Sequence, residues 1–287
     1  MADGGRAGRR SPTPRRPLPR LGGACYGARM PTPRRRPSIS LSESGNITSA
    51  RNRAAFQGAD EAGPNPLRPG DPRDGTPYAA HILAVRSCTR CPTVFGPPVV
   101  GPAPGARILL IGQAPGPRER EMGHPFAWTA GRALFGWLAR LGVDEATFRA
   151  RVHMAAVVRC FPGREGGGDR VPSPEEVAAC FPFVTAEVAI LRPQLILPVG
   201  RLAIDRFLSC TTLSEVIGRS FDGQIGGHPL TVIPLPHPSG RSTWLFRPGH
   251  RERLDRALEM IGAHPAWQST FGSLADVAAA DARARPR

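Results

Sequence analysis

The chain has 287 residues, a formal net charge of +15 and a 40% hydrophobic fraction. That length fits one large domain or two small ones with a sizeable core, and the charge calls for a polyanionic partner, nucleic acid before an anionic membrane surface. No apolar run approaches the roughly 20 residues of a bilayer-spanning segment, a secretory signal is not expected, since the arginine-bearing start lacks an apolar stretch, and six cysteines are too few for a disulfide scaffold at this length.

Residues 1–75 hold 14 arginines against 6 acidic residues, with 11 prolines and 11 glycines. Such a composition cannot bury enough apolar surface to offset ordering entropy, so a disordered basic arm is expected. Two roles remain open for it: a non-specific DNA tether, or an extension ahead of a start at Met30. A loop with Cys88-x-x-Cys91 follows. Four apolar runs then predict strands at Arg107–Gly112, Met154–Arg159, Leu195–Gly200 and Leu230–Pro236. Near-continuous apolar runs of this kind suit buried parallel strands. Helices are expected between them. Thr129–Leu141 puts Leu134, Leu138 and Leu141 on one face. Ser173 starts a second helix, with Pro174 at its first position and Glu176 closing a capping box, running to Leu191. Gly200–Leu208 and Arg251–Ile261 supply two more, and the chain from Gly272 is expected to fray. Alternating strands and helices imply a parallel sheet covered on both faces. The expected domain spans 76–265, with a tail over 266–287.

Cys88 and Cys91 are joined by Cys160, at the end of the second strand, and Cys180, in the second turn of the capped helix. Thiolates suit zinc or an iron–sulfur centre. Zinc sites favour two close pairs, whereas Cys160 and Cys180 lie 20 residues apart, which leans toward a cluster. Cys25 and Cys210 have no partners in the pattern. Neither a P-loop nor a dinucleotide fingerprint is present.

Four segments together carry a resemblance. They are C-T-R-C … V-V-R-C … E-E-V-A-A-C; I-G-Q-A-P-G-P-R-E at 111–119; G-H-P-F-A-W-T-A-G at 123–131; and L-P-H-P-S-G at 235–240. In order and spacing, residues 80–262 resemble the uracil-DNA glycosylase superfamily, closest to its iron–sulfur, family-four members. The resemblance implies a three-layer α/β/α fold with a four-stranded, mainly parallel sheet. It also implies a 4Fe-4S cluster on Cys88, Cys91, Cys160 and Cys180. The implied reaction is hydrolysis of the N-glycosidic bond of uracil, or a related deaminated base, in single- or double-stranded DNA, the first step of base-excision repair. A monomer in the cytoplasm, associated with the nucleoid and not with a membrane, is expected.

Site roles follow from the same resemblance. Gly112, Ala114 and Gly116 form the loop against the base, with Gln113 handling water. Phe126 stacks on the base. His237 donates to the base carbonyl, a role worth about 2.7–4 kcal/mol of barrier. Ser239 and Gly240 meet a DNA phosphate, and Arg241 or Trp244 fills the vacated stack. His124 is a candidate phosphate contact.

The sequence departs from the family in three places. Gln113 stands where the iron–sulfur enzymes have Glu, and Ala114 where other uracil glycosylases have Asp. Ala156 replaces an Asn that reads the pyrimidine edge. Glu119 is the preferred substitute carboxylate, ahead of Glu121. These departures support a second hypothesis, a weak or inactive relative that holds damaged or abasic DNA. A third is a zinc-bearing α/β hydrolase or nucleotide-binding enzyme.

Overall fold

A computed structural model describes residues 76–272 apart from 211, 226 and 241. The basic arm, Cys25 and the chain beyond Gly272 lie outside the described residues, so the readings made for them do too. Helix α1 (Pro77–Arg86) begins at Thr76, whose hydroxyl accepts from the Ala79 N–H at 3.2 Å, with Pro77 at the first position. Strand β1 (Ile108–Gly112) is buried throughout. Short helix α2 (Pro117–Met122), then α3 (Thr129–Ala139) and α4 (Glu145–Arg151), lead to β2 (His153–Ala156). A two-residue hairpin, β3 (Arg164–Glu165) and β4 (Gly168–Asp169), precedes α5 (Pro174–Leu191). The α5 capping box forms as expected: Glu176 N–H donates to Ser173 Oγ at 3.2 Å, and Ser173 N–H to Glu176 Oε2 at 2.8 Å. The remaining elements are β5 (Leu195–Pro198), α6 (Arg201–Phe207), β6 (Phe221–Ile225), β7 (His228–Val232), α7 (His250–Ala263) and α8 (Pro265–Phe271).

The sheet runs β2-β1-β5-β7-β6. Its first four strands are parallel, and β6 pairs antiparallel with β7. The mainly parallel α/β architecture is as expected, with one strand more than the four predicted. Strand β6 reads F-D-G-Q-I, alternating half-buried and exposed, so it has no apolar run to mark it. Leu230–Pro236 also shifts: regular pairing covers His228–Val232, and the chain beyond it touches β5 through a bridge between Leu235 and Val199.

Alternation along β1 divides the core. Ile108 and Leu110 pack with Leu134, Leu138, Phe148, Leu258 and Trp267 on one face. Leu109 and Ile111 pack with Phe181, Val184, Ile204 and Phe207 on the other. Trp267, 1% exposed, lies on α8. The domain therefore runs past the expected boundary at 265, since two aromatics in a seven-residue helix are too few for a periodic signal. No described helix is long and apolar enough to cross a membrane.

Candidate active site

Ligands of open parallel sheets bind at the carboxyl ends of the strands. Here the Gln113–Pro115 loop leaves β1, Ala155 and Ala156 end β2, and His237 follows β7. With Phe126 from the α2–α3 loop, and with Glu119, they line one pocket of about 30 Å³.

His237 is held by backbone. Leu235 N–H donates to the Pro198 carbonyl and Gly200 N–H to the Leu235 carbonyl, each at 2.9 Å. Gly200 has φ +83°, and a Cβ there would lie 3.1 Å from His237 Cδ2, so the ring packs against a position open only to glycine. Ser239 N–H donates to His237 Nδ1 at 3.2 Å, with Ser239 Oγ 2.9 Å from the same nitrogen. An accepting Nδ1 leaves the ring proton on Nε2. Burial lowers the His237 pKa, which favours the neutral ring. The pocket thus carries a neutral histidine whose donor is Nε2–H. The sequence reading sends Ser239 to a DNA phosphate; in the structure its N–H and hydroxyl both face His237.

Phe126 adopts φ +52°, a left-handed conformation rare outside glycine. Two features enforce it. Arg149 on α4 donates from Nη1 to the Pro125 carbonyl at 2.7 Å and from Nη2 to the Phe126 carbonyl at 3.0 Å. A Cβ on Gly131 would fall 1.7 Å from the Phe126 carbonyl oxygen. Gly112 has a related purpose: its Cβ would lie 3.1 Å from Phe126 Cζ, so it makes room for the ring rather than for a base. Arg149 escaped the sequence reading, because nothing local marks an arginine that acts 23 residues away.

Glu119 is buried, and its Oε2 accepts from the Gly116 N–H at 3.1 Å. Glu121 is exposed and pairs with Arg118 at 2.8 Å. Only Glu119 reaches the pocket. A Cβ on Gly116 would meet Glu119 Oε2 at 2.8 Å and Asp169 Oδ2 at 3.1 Å, so the β3–β4 hairpin brings up a carboxylate that the sequence reading missed. Ala156 gives the pocket a buried wall without a side-chain polar atom. His124 Nδ1 is buried without a partner. Trp244 is buried and stacks on the His250 ring at 4.1 Å, which removes it as a DNA wedge. Arg241 lies outside the described residues.

The four cysteines line a second cavity, of about 200 Å³. Cys160 sits four residues past the end of β2, not on the strand as expected, because regular pairing stops at Ala156. Arg90 Nε donates to Cys88 Sγ at 3.4 Å and Arg159 N–H to Cys180 Sγ at 3.3 Å. Burial, and then the other three sulfurs, push the Cys160 thiol up to about 12. Burial raises the Cys88 thiol, but Arg90 outweighs it and lowers the group. Four converging thiols suit a cationic core to bind. Among the described residues, no group of three or more His, Cys, Asp or Glu is placed to hold a single metal ion. Four cysteine side chains on one cavity are the donor set of an iron–sulfur centre or of zinc alike. Arg159, 1% exposed, also lines this cavity. Its Nη2 pairs with buried Glu187, while Nε and Nη1 have no partner among the described residues, donors that suit the sulfides of a cluster. Cys210 is buried elsewhere, with Sγ 3.9 Å from Asp205.

The family model described as the uracil DNA glycosylase superfamily matches residues 98–259. The chain belongs to this superfamily. The Type-4 uracil-DNA glycosylase of Archaeoglobus fulgidus is 31% identical over 63% of this chain and 89% of its own length. The Type-4 enzyme of Thermotoga maritima is 34% identical over 54% of this chain and 78% of its own. That of Pyrobaculum aerophilum is 29% identical over 62% and 89%.

Proposed function

We propose that this protein is a DNA glycosylase that removes uracil from DNA and so opens base-excision repair. The observation that carries the reading is the convergence of Gln113, Phe126, Ala156 and His237, from four separate segments, on one pocket at the carboxyl edge of the sheet. The kinship with Type-4 uracil-DNA glycosylases supports the same reading.

The base leaves its stack at a cost of a few kcal/mol. Phe126 then stacks on the base. The C1′–N1 bond breaks with its electron pair passing to the base. Neutral His237 donates from Nε2 to the base carbonyl oxygen as negative charge collects there. Gln113 orients a water whose oxygen bonds C1′, and the water proton ends on the departing base. Glu119, which lines the pocket while capping α2, polarises that water and the sugar cation.

Cys88, Cys91, Cys160 and Cys180 would hold a 4Fe-4S cluster. When bound, it supplies a structural tie between the 88–91 loop, the exit of β2 and α5, since this hydrolysis moves no electrons.

The test is incubation with a uracil-bearing oligonucleotide followed by alkaline cleavage at abasic sites. Scission at uracil is expected, with weaker discrimination among deaminated bases because Ala156 supplies no edge contact. Ala156→Asn is expected to sharpen uracil preference. Absence of product from uracil, hypoxanthine and xanthine substrates would overturn the reading. The combination of Ala114 and Ala156 favours one alternative, a protein that holds abasic DNA without turnover. Tight abasic binding with no product would select it.

A further inference from the structure

We propose that Trp128 is a second stacking platform, taking the nucleobase next to the extruded one, with Arg118 and Arg132 meeting the adjoining phosphates, so that the preferred substrate is single-stranded DNA. The proposal rests on the DNA-glycosylase reading.

Of the four tryptophans, Trp244 and Trp267 are buried, Trp137 packs half-buried against the core, and Trp128 is 48% exposed. It stands in G-H-P-F-A-W-T-A-G, two residues past Phe126. Two residues span at most about 7 Å, so the Trp128 backbone lies about one nucleotide step of an unstacked strand from that of Phe126.

The residue does little for its own helix. Trp128 is the N-cap of α3 and makes no side-chain capping bond, and the first turn of α3 contains no acidic residue. Ser, Thr, Asp or Asn would cap better and would not expose an indole to water. A position that breaks a local rule without a structural return marks function.

Its neighbours supply the matching charge. The Arg118 guanidinium carbon lies 5.4 Å from the indole centre and that of Arg132 lies 5.8 Å away. Both arginines are exposed. Arg118 also pairs with exposed Glu121, an ion pair that phosphate can displace at little cost. An exposed aromatic between cations is how strand-tracking surfaces bind nucleic acid without reading sequence. An indole can stack on a neighbouring base only when that base has left the duplex, which selects single strands.

The experiment measures binding of the full chain to an undamaged oligo-dT strand and to a duplex of equal length. Anisotropy and tryptophan quenching are the readouts, so failure to excise uracil would not disturb the result. Trp128→Ser restores a capping side chain and should unfold at or above the wild-type temperature. It should bind the single strand about 5- to 140-fold more weakly, with most quenching lost and an unchanged salt slope. Trp128→Phe should retain most of the affinity. Arg118→Gln and Arg132→Gln should each lower the slope of log K against log salt by about 0.7. Single-strand affinity within twofold of wild type in Trp128→Ser, or wild-type preference for duplex over single strand, would overturn the proposal.

Discussion

Arg149 offers the sharpest test of how the pocket is held. Its guanidinium donates to the carbonyls of Pro125 and Phe126 and pairs with Glu145 at 2.7 Å, while its carbon lies 4.6 Å from the Phe135 ring centre. Arg149→Met keeps an apolar stem against Phe135 and deletes the donors. Hydrogen bonds to a charged group contribute about 1.5–3 kcal/mol each, enough to balance the cost of about 1–3 kcal/mol for a non-glycine residue in left-handed backbone. Without them the Phe126 loop relaxes and the ring leaves the base. The ceiling on the catalytic loss is then the stacking energy itself, about 1–3 kcal/mol, or roughly 5- to 140-fold in kcat/KM. Glu145→Gln is the control. It removes the partly exposed ion pair but not the carbonyl contacts, and should leave kcat/KM within about twofold. Steady-state excision from a uracil oligonucleotide, beside thermal unfolding, separates the outcomes. If Arg149→Met lowers the unfolding temperature while kcat/KM stays within twofold, Arg149 merely stabilises α4 and the reasoning fails.

Gly131→Ala forces a Cβ to within 1.7 Å of the Phe126 carbonyl oxygen, so it should impair excision at least as much as Arg149→Met; wild-type kcat/KM in that variant would refute the close approach. Burial lowers the His237 pKa below its ordinary 6.5, so the neutral donor persists through pH 6.5. The acid limb of kcat/KM should therefore fall below 6.5 as the ring protonates, and a limb at or above 6.5 that vanishes in His237→Asn would contradict the assignment. Burial raises the Glu187 carboxyl, but Arg159, His153 and His81 outweigh it and hold the group well below the usual carboxylate range. Glu187→Gln strands the buried Arg159 charge, at about 3–5 kcal/mol, and should lower the calorimetric unfolding temperature by roughly 10 °C; a shift under 2 °C would show that the cluster of charges is not coupled to folding. The proposed iron–sulfur centre predicts broad absorbance near about 400 nm in the purified protein, which Cys160→Ala should abolish; retained absorbance would remove Cys160 from the ligand set.

Much of the scaffold was legible along the chain because its signals are local. Apolar runs of four to six residues marked the parallel strands, and Ser173, Pro174 and Glu176 wrote the start of α5 within four positions. The motif order named residues that the fold brings together on one pocket, since Gln113, Phe126 and His237 each sit inside a recognisable segment and Ala156 lies just before one. Strand β6 stayed hidden because a half-exposed edge strand has no apolar run, and α8 because one buried Trp267 sets no period. The sequence by itself determined which residues could do chemistry. Only the tertiary structure decided their states: Ser239 setting the proton on His237, Arg149 and Gly131 bending Phe126, Glu119 turned in and Glu121 out, Trp244 buried and Trp128 exposed. Period and capping act through neighbours a few positions apart, whereas burial, charge pairing and steric exclusion depend on groups that meet only when the chain folds back on itself.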